Sequence, residues 1–186
     1  MSLEECFATL KDPRRSQGLR TSLDQLLIMT VVSYLCGQFG YRGVARFCQI
    51  NEELFTEELE LRHGVPSHVT FAEVLNRVDE PSLILAFNTW AGQTANLDLG
   101  DSLSVDGKTL GSTVKNTQDS RQDFEAVVSL FCHQTGLVNA VEHYRLRSKQ
   151  EGEACLARRL MSELKNKGLV FTMDALHTQK NDSNGG

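Results

Sequence analysis

In the first hundred residues, apolar positions recur at intervals of three or four, a spacing typical of helices that bury one face. A glycine-containing turn at Gly37 to Gly40 separates the first two of these segments, and Pro81 suits the first turn of the last one. Three predicted helices run over 23–37, 41–49 and 52–61. A fourth, short helix begins at a capping box, Thr70-x-x-Glu73, and a fifth begins near Pro81.

After about Gly100 the pattern changes to short apolar runs bounded by polar residues, which indicates strands. The predicted strands are Ser102–Val105, Glu125–His133, Leu137–Leu146 and the run that begins at Leu169 and ends on Asp174, with an amphipathic crossover helix over 151–167 before the last. The first three strands are expected to be antiparallel and the last parallel to the first. The prediction is therefore an α+β chain, with an all-helical domain over 1–97 and the opening half of a ribonuclease H-like α/β domain over 98–186.

Two of the apolar runs end on an aspartate, at Asp106 and at Asp174. If the first and last strands are neighbours, these carboxylates meet at one edge of the sheet, where open α/β sheets place their ligands. Paired carboxylates suit Mg²⁺ or Mn²⁺, and two such ions promote phosphoryl transfer on nucleic acids. A single aspartate at a strand end is more often a turn former or a helix cap than a ligand, whereas two at matched strand ends favour a shared site. Only twelve residues follow Asp174, and none of them is an obvious third acidic ligand.

Other polar residues near these aspartates have two possible roles. Lys108 either contacts a phosphate or completes a common Asp-Gly-Lys turn. His177 and Gln179 either contact DNA or order the metal site, or they are ordinary surface residues. The residues alone leave these alternatives open.

The net charge of −5 argues against a protein coated with basic surface, so local basic clusters matter more than the sum. Arg14 and Arg15 form one such cluster, and Arg42 and Arg46 lie on the second helix of a predicted helix-turn-helix, a motif that can enter a DNA groove. A solvated helix face and an ordinary two-helix corner are the alternatives.

An apolar content of 40% and the lack of an apolar run of about eighteen residues predict a protein without membrane spans. The first residues lack the positive start and apolar core of a secretory leader, so a cytoplasmic location is expected. Five widely spaced cysteines with no CxxC pair make a zinc site or a disulfide framework unexpected.

Several motifs, in order, resemble the bacterial insertion-sequence transposases of the ISAs1 type, the H-repeat-associated group of DDE transposases. Each motif is modest, but their order and spacing along nearly the whole chain are specific. The matching segments are Asp12-Pro-Arg-Arg15, Tyr41-Arg-Gly-Val-Ala-Arg-Phe47, Gly64-Val-Pro-Ser-His-Val-Thr-Phe71, Val105-Asp-Gly-Lys-Thr-Leu110 and Phe171-Thr-Met-Asp-Ala-Leu-His-Thr-Gln-Lys180.

The resemblance implies a DNA-binding helical domain followed by a ribonuclease H-like catalytic domain that binds two Mg²⁺ ions through three acidic residues. Such enzymes nick the ends of a transposon and join them to target DNA. Asp106 and Asp174 fall on the first two acidic positions, and the third, a glutamate, has no counterpart here.

The expectation is therefore a truncated, nucleoid-associated transposase that is inactive alone. It would act on double-stranded DNA, at transposon ends and target, as a homo-oligomer or mixed with intact transposase. The alternative functions are a non-enzymatic DNA-binding module, which occupies transposon ends or interferes with intact transposase, and a relic that is rapidly degraded.

Overall fold

The structure is a computed structural model of the 186-residue chain. It describes residues 1–16, 19–94, 97–115, 123–146 and 168–173. The chain divides into two compact units, Met1–Trp90 and Ala91–Gly186. The first contains helices and the second a sheet, so the expected mixture of an α-helical part and a β-containing part is confirmed.

The described residues form six helices, most of them close to the positions that the hydrophobic pattern predicts. The exceptions are a short N-terminal helix that the pattern missed and a fourth helix that ends earlier than expected. The helices are α1 Leu3–Phe7, α2 Leu23–Leu35, α3 Gly40–Ile50, α4 Glu52–Glu58, α5 His68–Leu75 and α6 Glu80–Thr94.

The core of the first unit forms around α2, whose buried face is mostly apolar. The two polar side chains on that face satisfy their own hydrogen bonds: the hydroxyls of Thr30 and Ser33 donate to carbonyl oxygens one turn earlier, both at 2.7 Å. Phe55, Phe71 and Ala86 bring α4, α5 and α6 into the same core. Helices distant in sequence are therefore held together mainly by burial of apolar surface.

The connection from α2 to α3 depends on two glycines in the left-handed region of backbone space. Gly37 has φ +74° and Gly40 has φ +72°, values that cost a residue with a Cβ atom additional strain. The turn between them lets α3 begin at Gly40 and pack against α2. The predicted two-helix corner is therefore present, with α3 as its second helix.

The predicted capping box at Thr70 is wrong. Helix α5 begins at His68, and its N-cap is Ser67, whose hydroxyl accepts a hydrogen bond from the Thr70 amide at 3.5 Å. Thr70 therefore lies inside the first turn, and Glu73 pairs instead with Arg77 one turn later, at 3.0 Å. Ser67 caps the helix because it lies directly before His68, three residues before Thr70, where its hydroxyl can accept a hydrogen bond from an N–H of the first turn.

The second unit contains a four-stranded mixed sheet in the order β3-β2-β1-β4. β1 pairs antiparallel with β2 and parallel with β4, while β2 and β3 form an antiparallel hairpin. This is the predicted pairing. The strands are β1 Ser102–Lys115, β2 Asp123–Cys132, β3 Leu137–Leu146 and β4 Val170–Met173. The predicted crossover helix over 151–167 lies outside the described residues.

One face of this sheet is buried and the other is more exposed, as the alternation of side chains along a strand requires. Leu103, Val105, Val128 and Leu130 are at most 6% exposed and lie on the buried face. Ser104, Asp106 and Lys108 alternate with the buried residues of β1 and point to the opposite face. Among the described residues, no helix has the length and apolar character needed to cross a bilayer.

Candidate functional site

Asp106 lies on β1, directly after the last parallel pair that β1 forms with β4. That pairing runs from Ser102 opposite Val170 to Val105 opposite Met173. Asp106 is exposed and faces Ser129 of β2 in the antiparallel register. Asp174 follows Met173 in the sequence and lies outside the described residues.

The expectation that Asp106 ends its strand is wrong. β1 continues through Asp106 and reaches Lys115, because its antiparallel pairing with β2 persists past the point where the parallel pairing with β4 stops. Asp106 is thus flanked by strand on both sides and held by hydrogen bonding to β2. Its backbone is therefore more rigidly placed than that of a residue in a turn.

The exposed face around Asp106 carries further polar side chains. Lys108 lies two residues further along β1 and is exposed on the same face. Glu125 of β2 lies diagonally across from His143 of β3, with 3.6 Å between Oε2 and Nε2. Within the described ranges, no group of three or more His, Cys, Asp or Glu side chains is arranged to hold a metal ion. Of the two predicted metal ligands, Asp106 and Asp174, the described residues include only Asp106.

Two more predicted site residues, His177 and Gln179, also lie outside the described residues. Their roles remain predictions from the sequence.

Arg14, predicted to bind DNA, is held within the first unit by three side-chain hydrogen bonds. Its guanidinium donates to both carboxylate oxygens of Asp12, at 3.0 and 2.6 Å, and to the Thr21 carbonyl at 2.8 Å. The Arg14 side chain is only 11% exposed. This geometry favours a structural role, in which Arg14 fastens the segment before α2 to the start of that helix.

The ion pair with Arg14 favours the ionised form of Asp12. Burial of its carboxyl opposes ionisation, but hydrogen bonds from the side chain and backbone of Arg14, together with the positive charges of Arg14 and Arg77, hold the pKa of Asp12 below its ordinary value. The pair therefore consists of two charges that stabilise each other at neutral pH.

The other arginines predicted to bind DNA point to solvent. Arg15 is exposed, and Arg42 and Arg46 are exposed four residues apart on α3, opposite the buried Val44 and Cys48. Residues at this spacing share one face of a helix. The structure thus places two arginines together on the outer face of the second helix of the corner.

Sequence reasoning missed a polar cleft in the first unit, lined by Arg14, Arg20 and His63 among others. Arg20 could be found from the sequence, because it lies before α2 in a stretch that also contains Lys11, Arg14 and Arg15. Nothing in the sequence pointed to His63, because it lies in the turn before α5 and only folding brings it near the segment before α2.

Comparisons with known proteins place similarity along most of the chain. Residues 4–91 match the family described as DDE_Tnp_1-associated. The "H repeat-associated putative transposase YhhI" of Escherichia coli is 24% identical over 178 residues, 96% of this chain and 46% of that protein. An "Uncharacterized protein in dhlA 3'region" of Xanthobacter autotrophicus is 33% identical over 106 residues, 56% of this chain and 36% of that protein.

The chain spans less than half the length of these two relatives. It covers 70% of a second Escherichia coli relative, the "Putative transposase YncI", at 24% identity. A solved structure of the piggyBac transposase synaptic complex with hairpin DNA aligns with 88% of this chain and 38% of that chain, at 14% identity and a TM-score of 0.38. A score this low supports no argument about fold or function.

Proposed function

We propose that this chain, which is similar to the H repeat-associated putative transposase YhhI and the putative transposase YncI of Escherichia coli, acts in the transposition of a bacterial insertion sequence. In this proposal the helical unit binds double-stranded DNA at transposon ends. The sheet-containing unit is the N-terminal part of a ribonuclease H-like catalytic domain of the DDE type.

The observation that carries the proposal is the parallel pairing of β1 with β4. Val105 lies opposite Met173, and the next residue in each strand's sequence is one of the two predicted acidic ligands, Asp106 and Asp174. Asp106 stays within β1, and in parallel strands the residues that follow a matched pair take corresponding positions in the two sequences. The register therefore supports a shared site for the two carboxylates.

Asp106 fits a role as a ligand of Mg²⁺ or Mn²⁺. It presents an exposed carboxylate, the hard oxygen donor that these ions prefer, on a strand fixed by pairing to β2. In the proposal Asp106 and Asp174 hold the metal. When bound, two such ions activate an attacking oxygen and stabilise a leaving one in phosphodiester chemistry.

The remaining polar residues have roles in binding DNA. Lys108, exposed two residues after Asp106, would contact a phosphate near the reacting bond. His177 and Gln179 would contact DNA beside Asp174. Arg15, Arg42 and Arg46 would bind the phosphate backbone from the helical unit, whereas Arg14 would support the segment that carries Arg15.

Paramagnetic broadening by Mn²⁺ tests the metal site directly. Mn²⁺ should broaden the amide resonances around Asp106, including Val105 and Ser129, and Asp106→Asn should abolish this effect while leaving the spectrum folded. Asp98→Asn, a change of the same charge at an exposed position in the same unit, should preserve the broadening. Equal broadening in the Asp106→Asn protein would refute the metal site.

Strand transfer tests the expected lack of a third acidic ligand. The 186-residue polypeptide, incubated with transposon-end DNA and Mg²⁺, should join no ends, since the proposal gives it two of three carboxylates. Efficient joining that depends on Asp106 would show that another residue of this chain completes the site.

A second candidate function is that of a non-enzymatic DNA-binding module, favoured by the exposed Arg42 and Arg46 on α3. Such a module would occupy transposon ends or associate with intact transposase. In a gel-shift titration, the R42Q/R46Q variant should bind more weakly and with a salt dependence reduced by about 0.9 per lost phosphate contact. Binding unaffected by this double change would exclude α3 as the contact, whichever of the two functions holds.

A further inference from the structure

A polar cleft in the helical unit lies where the segment before α2 meets the turn before α5. Its volume is about 270 Å³. Pockets that enclose a drug-sized ligand usually measure about 300–1,000 Å³, so this cleft fits a single group of a larger molecule rather than a whole cofactor. Its polar lining includes Arg14, Arg20, Thr21, His63, Ser67 and Thr70.

The arginines that line the cleft lie in a unit that is acidic as a whole. The excess of acidic residues in this chain lies within the first hundred residues, yet none of the described residues that line the cleft is acidic. Arg20 and His63 are exposed, and within the part of the chain that the structure describes neither takes part in an ion pair. The Arg20 guanidinium and the His63 ring are therefore available to hydrogen-bond an anion.

Arg14 supplies a donor that is already fixed in place. Its Nε and Nη2 atoms are occupied by Asp12 and by the Thr21 carbonyl, which sets the plane of the guanidinium. No described residue accepts a hydrogen bond from its Nη1. A guanidinium held in this way binds an oxyanion without first losing rotamer freedom.

Two hydroxyls add neutral donors to the same lining. Ser67 and Thr70 line the cleft, and their hydroxyl oxygens are 3.4 Å apart. A hydroxyl can rotate to donate to an anion while its lone pairs keep another contact. The cleft thus combines a fixed guanidinium, an exposed one, an imidazole and two hydroxyls, while the nearby Asp12 carboxylate is bound to Nε and Nη2 of Arg14.

We propose that this cleft binds a phosphate group. Phosphate offers several oxygen acceptors and a negative charge, which match charged nitrogen and hydroxyl donors. We further assign this phosphate to the backbone of DNA, with the rest of the polymer outside the cleft. This assignment rests on the proposed function. Removal of Arg20 should weaken binding most. Arg14 is less suitable for a test, because its removal would also leave Asp12 without its partner.

The test uses the full chain and two probes, inorganic phosphate and a short DNA duplex, followed by amide resonances. Phosphate, compared with chloride at equal ionic strength, should shift the amides of Ser67 and Thr70 in a saturable way, and Arg20→Gln should weaken this binding at least fivefold. Arg62→Gln removes the same charge from an exposed residue outside the cleft and should change it less than twofold.

The duplex should shift the same amides, and Arg20→Gln should reduce the salt dependence of duplex binding by about 0.9, as expected for one lost phosphate contact. Shifts of these amides by phosphate but not by the duplex would overturn the assignment to DNA. Shifts by neither probe, or equal losses in Arg20→Gln and Arg62→Gln, would overturn the phosphate site itself. None of these readings involves Asp106, so the cleft and the metal site fail independently.

Discussion

Asp12 and Arg14 tie the segment before α2 to the body of the helical unit. The carboxylate accepts three hydrogen bonds from Arg14, two from its side chain and one from its backbone amide. Arg14 in turn reaches the Thr21 carbonyl at the start of α2. Both side chains are mostly buried, so removing one partner leaves the other without its counter-charge.

The change Asp12→Asn should therefore destabilise the protein by about 1–3 kcal/mol, the usual cost of leaving a mostly buried polar group poorly satisfied. Urea unfolding followed by circular dichroism measures it. Glu57→Gln, which removes an exposed carboxylate from α4, should change stability by less than about 0.5 kcal/mol. An Asp12→Asn protein as stable as the wild type would show that the pair is not a structural link.

The same pair should make stability depend on pH in the acid range. The pKa of Asp12 is lower in the folded state than its ordinary value of 3.8, so the folded protein favours the ionised form. This stabilisation is complete above the unfolded-state pKa and is lost as the pH falls through the lower folded-state pKa. The difference in urea midpoint between wild type and Asp12→Asn should therefore be constant from about pH 7 to 5 and shrink below about pH 4.

Gly64 is required in the turn before α5 for two separate reasons. Its φ is +68°, and a Cβ at this position would lie 2.6 Å from Oε1 of Glu52, which accepts a hydrogen bond from the Val65 amide. Gly64→Ala should destabilise the protein by about 1–2 kcal/mol. Gly43→Ala, on α3 at ordinary φ with 3.7 Å to the nearest atom, should stabilise it by about 0.5–1 kcal/mol. Thermal unfolding of both variants measures these changes. A loss of stability of the same size in both variants would contradict this account.

Among the secondary-structure elements, α5 has a cap that the sequence pattern misplaces. Ser67→Ala should cost about 0.5–1 kcal/mol, at the low end for a cap because its hydrogen bond is long. Glu73→Gln should cost less than about 0.5 kcal/mol, since its partner Arg77 is exposed. A larger loss from Glu73→Gln than from Ser67→Ala, measured by urea unfolding, would favour the capping box at Thr70 instead.

The two capping patterns show what a local motif can and cannot predict. Ser2-x-x-Glu5 forms a true capping box at the start of α1, with hydrogen bonds of 3.1 and 2.6 Å, although the sequence reasoning made no use of it. Thr70-x-x-Glu73 has the same form but lies one turn too late. The choice between Ser67 and Thr70 depends on where the preceding turn delivers the chain, and tertiary packing decides that.

The strands show a similar division. The hairpin of β2 and β3 and the parallel pairing of β1 with β4 were predictable, because alternation, glycine at the turn and crossover rules all agreed. The length of β1 was not, since its second half is polar and glycine-containing and is held in the sheet by pairing with β2. For the same reason Asp106 was expected at a strand end.

The candidate site was only partly predictable as well. Asp106 could be selected from its position after an apolar run, and its exposure agrees with a binding role. Arg14 was assigned to DNA from its membership of a basic cluster, but its exposure and partners could not be read from the sequence. The cleft around Arg20 joins segments far apart in the chain, so it becomes visible only after folding.

At the scale of the whole molecule, the first unit has a core of its own. Every residue of the buried cluster around α2, and every side chain packed against it, lies between Leu3 and Trp90. A domain with a self-contained core is able to fold alone. The helical unit therefore has the features of an independent folding unit, with α6 as the last helix to contribute to its core.

The polypeptide 1–94, which keeps α6 complete, should thus fold and unfold cooperatively in urea with helical circular dichroism. The polypeptide 1–78 is the matched control. It lacks Leu83, Ala86 and Trp90, and Ala86 is only 5% exposed in the core, so it should show a lower midpoint and a broader transition. Loss of cooperative unfolding in 1–94 would mean that residues beyond Thr94 complete this core, and the DNA contacts proposed for the helical unit would then have to be studied in the whole chain.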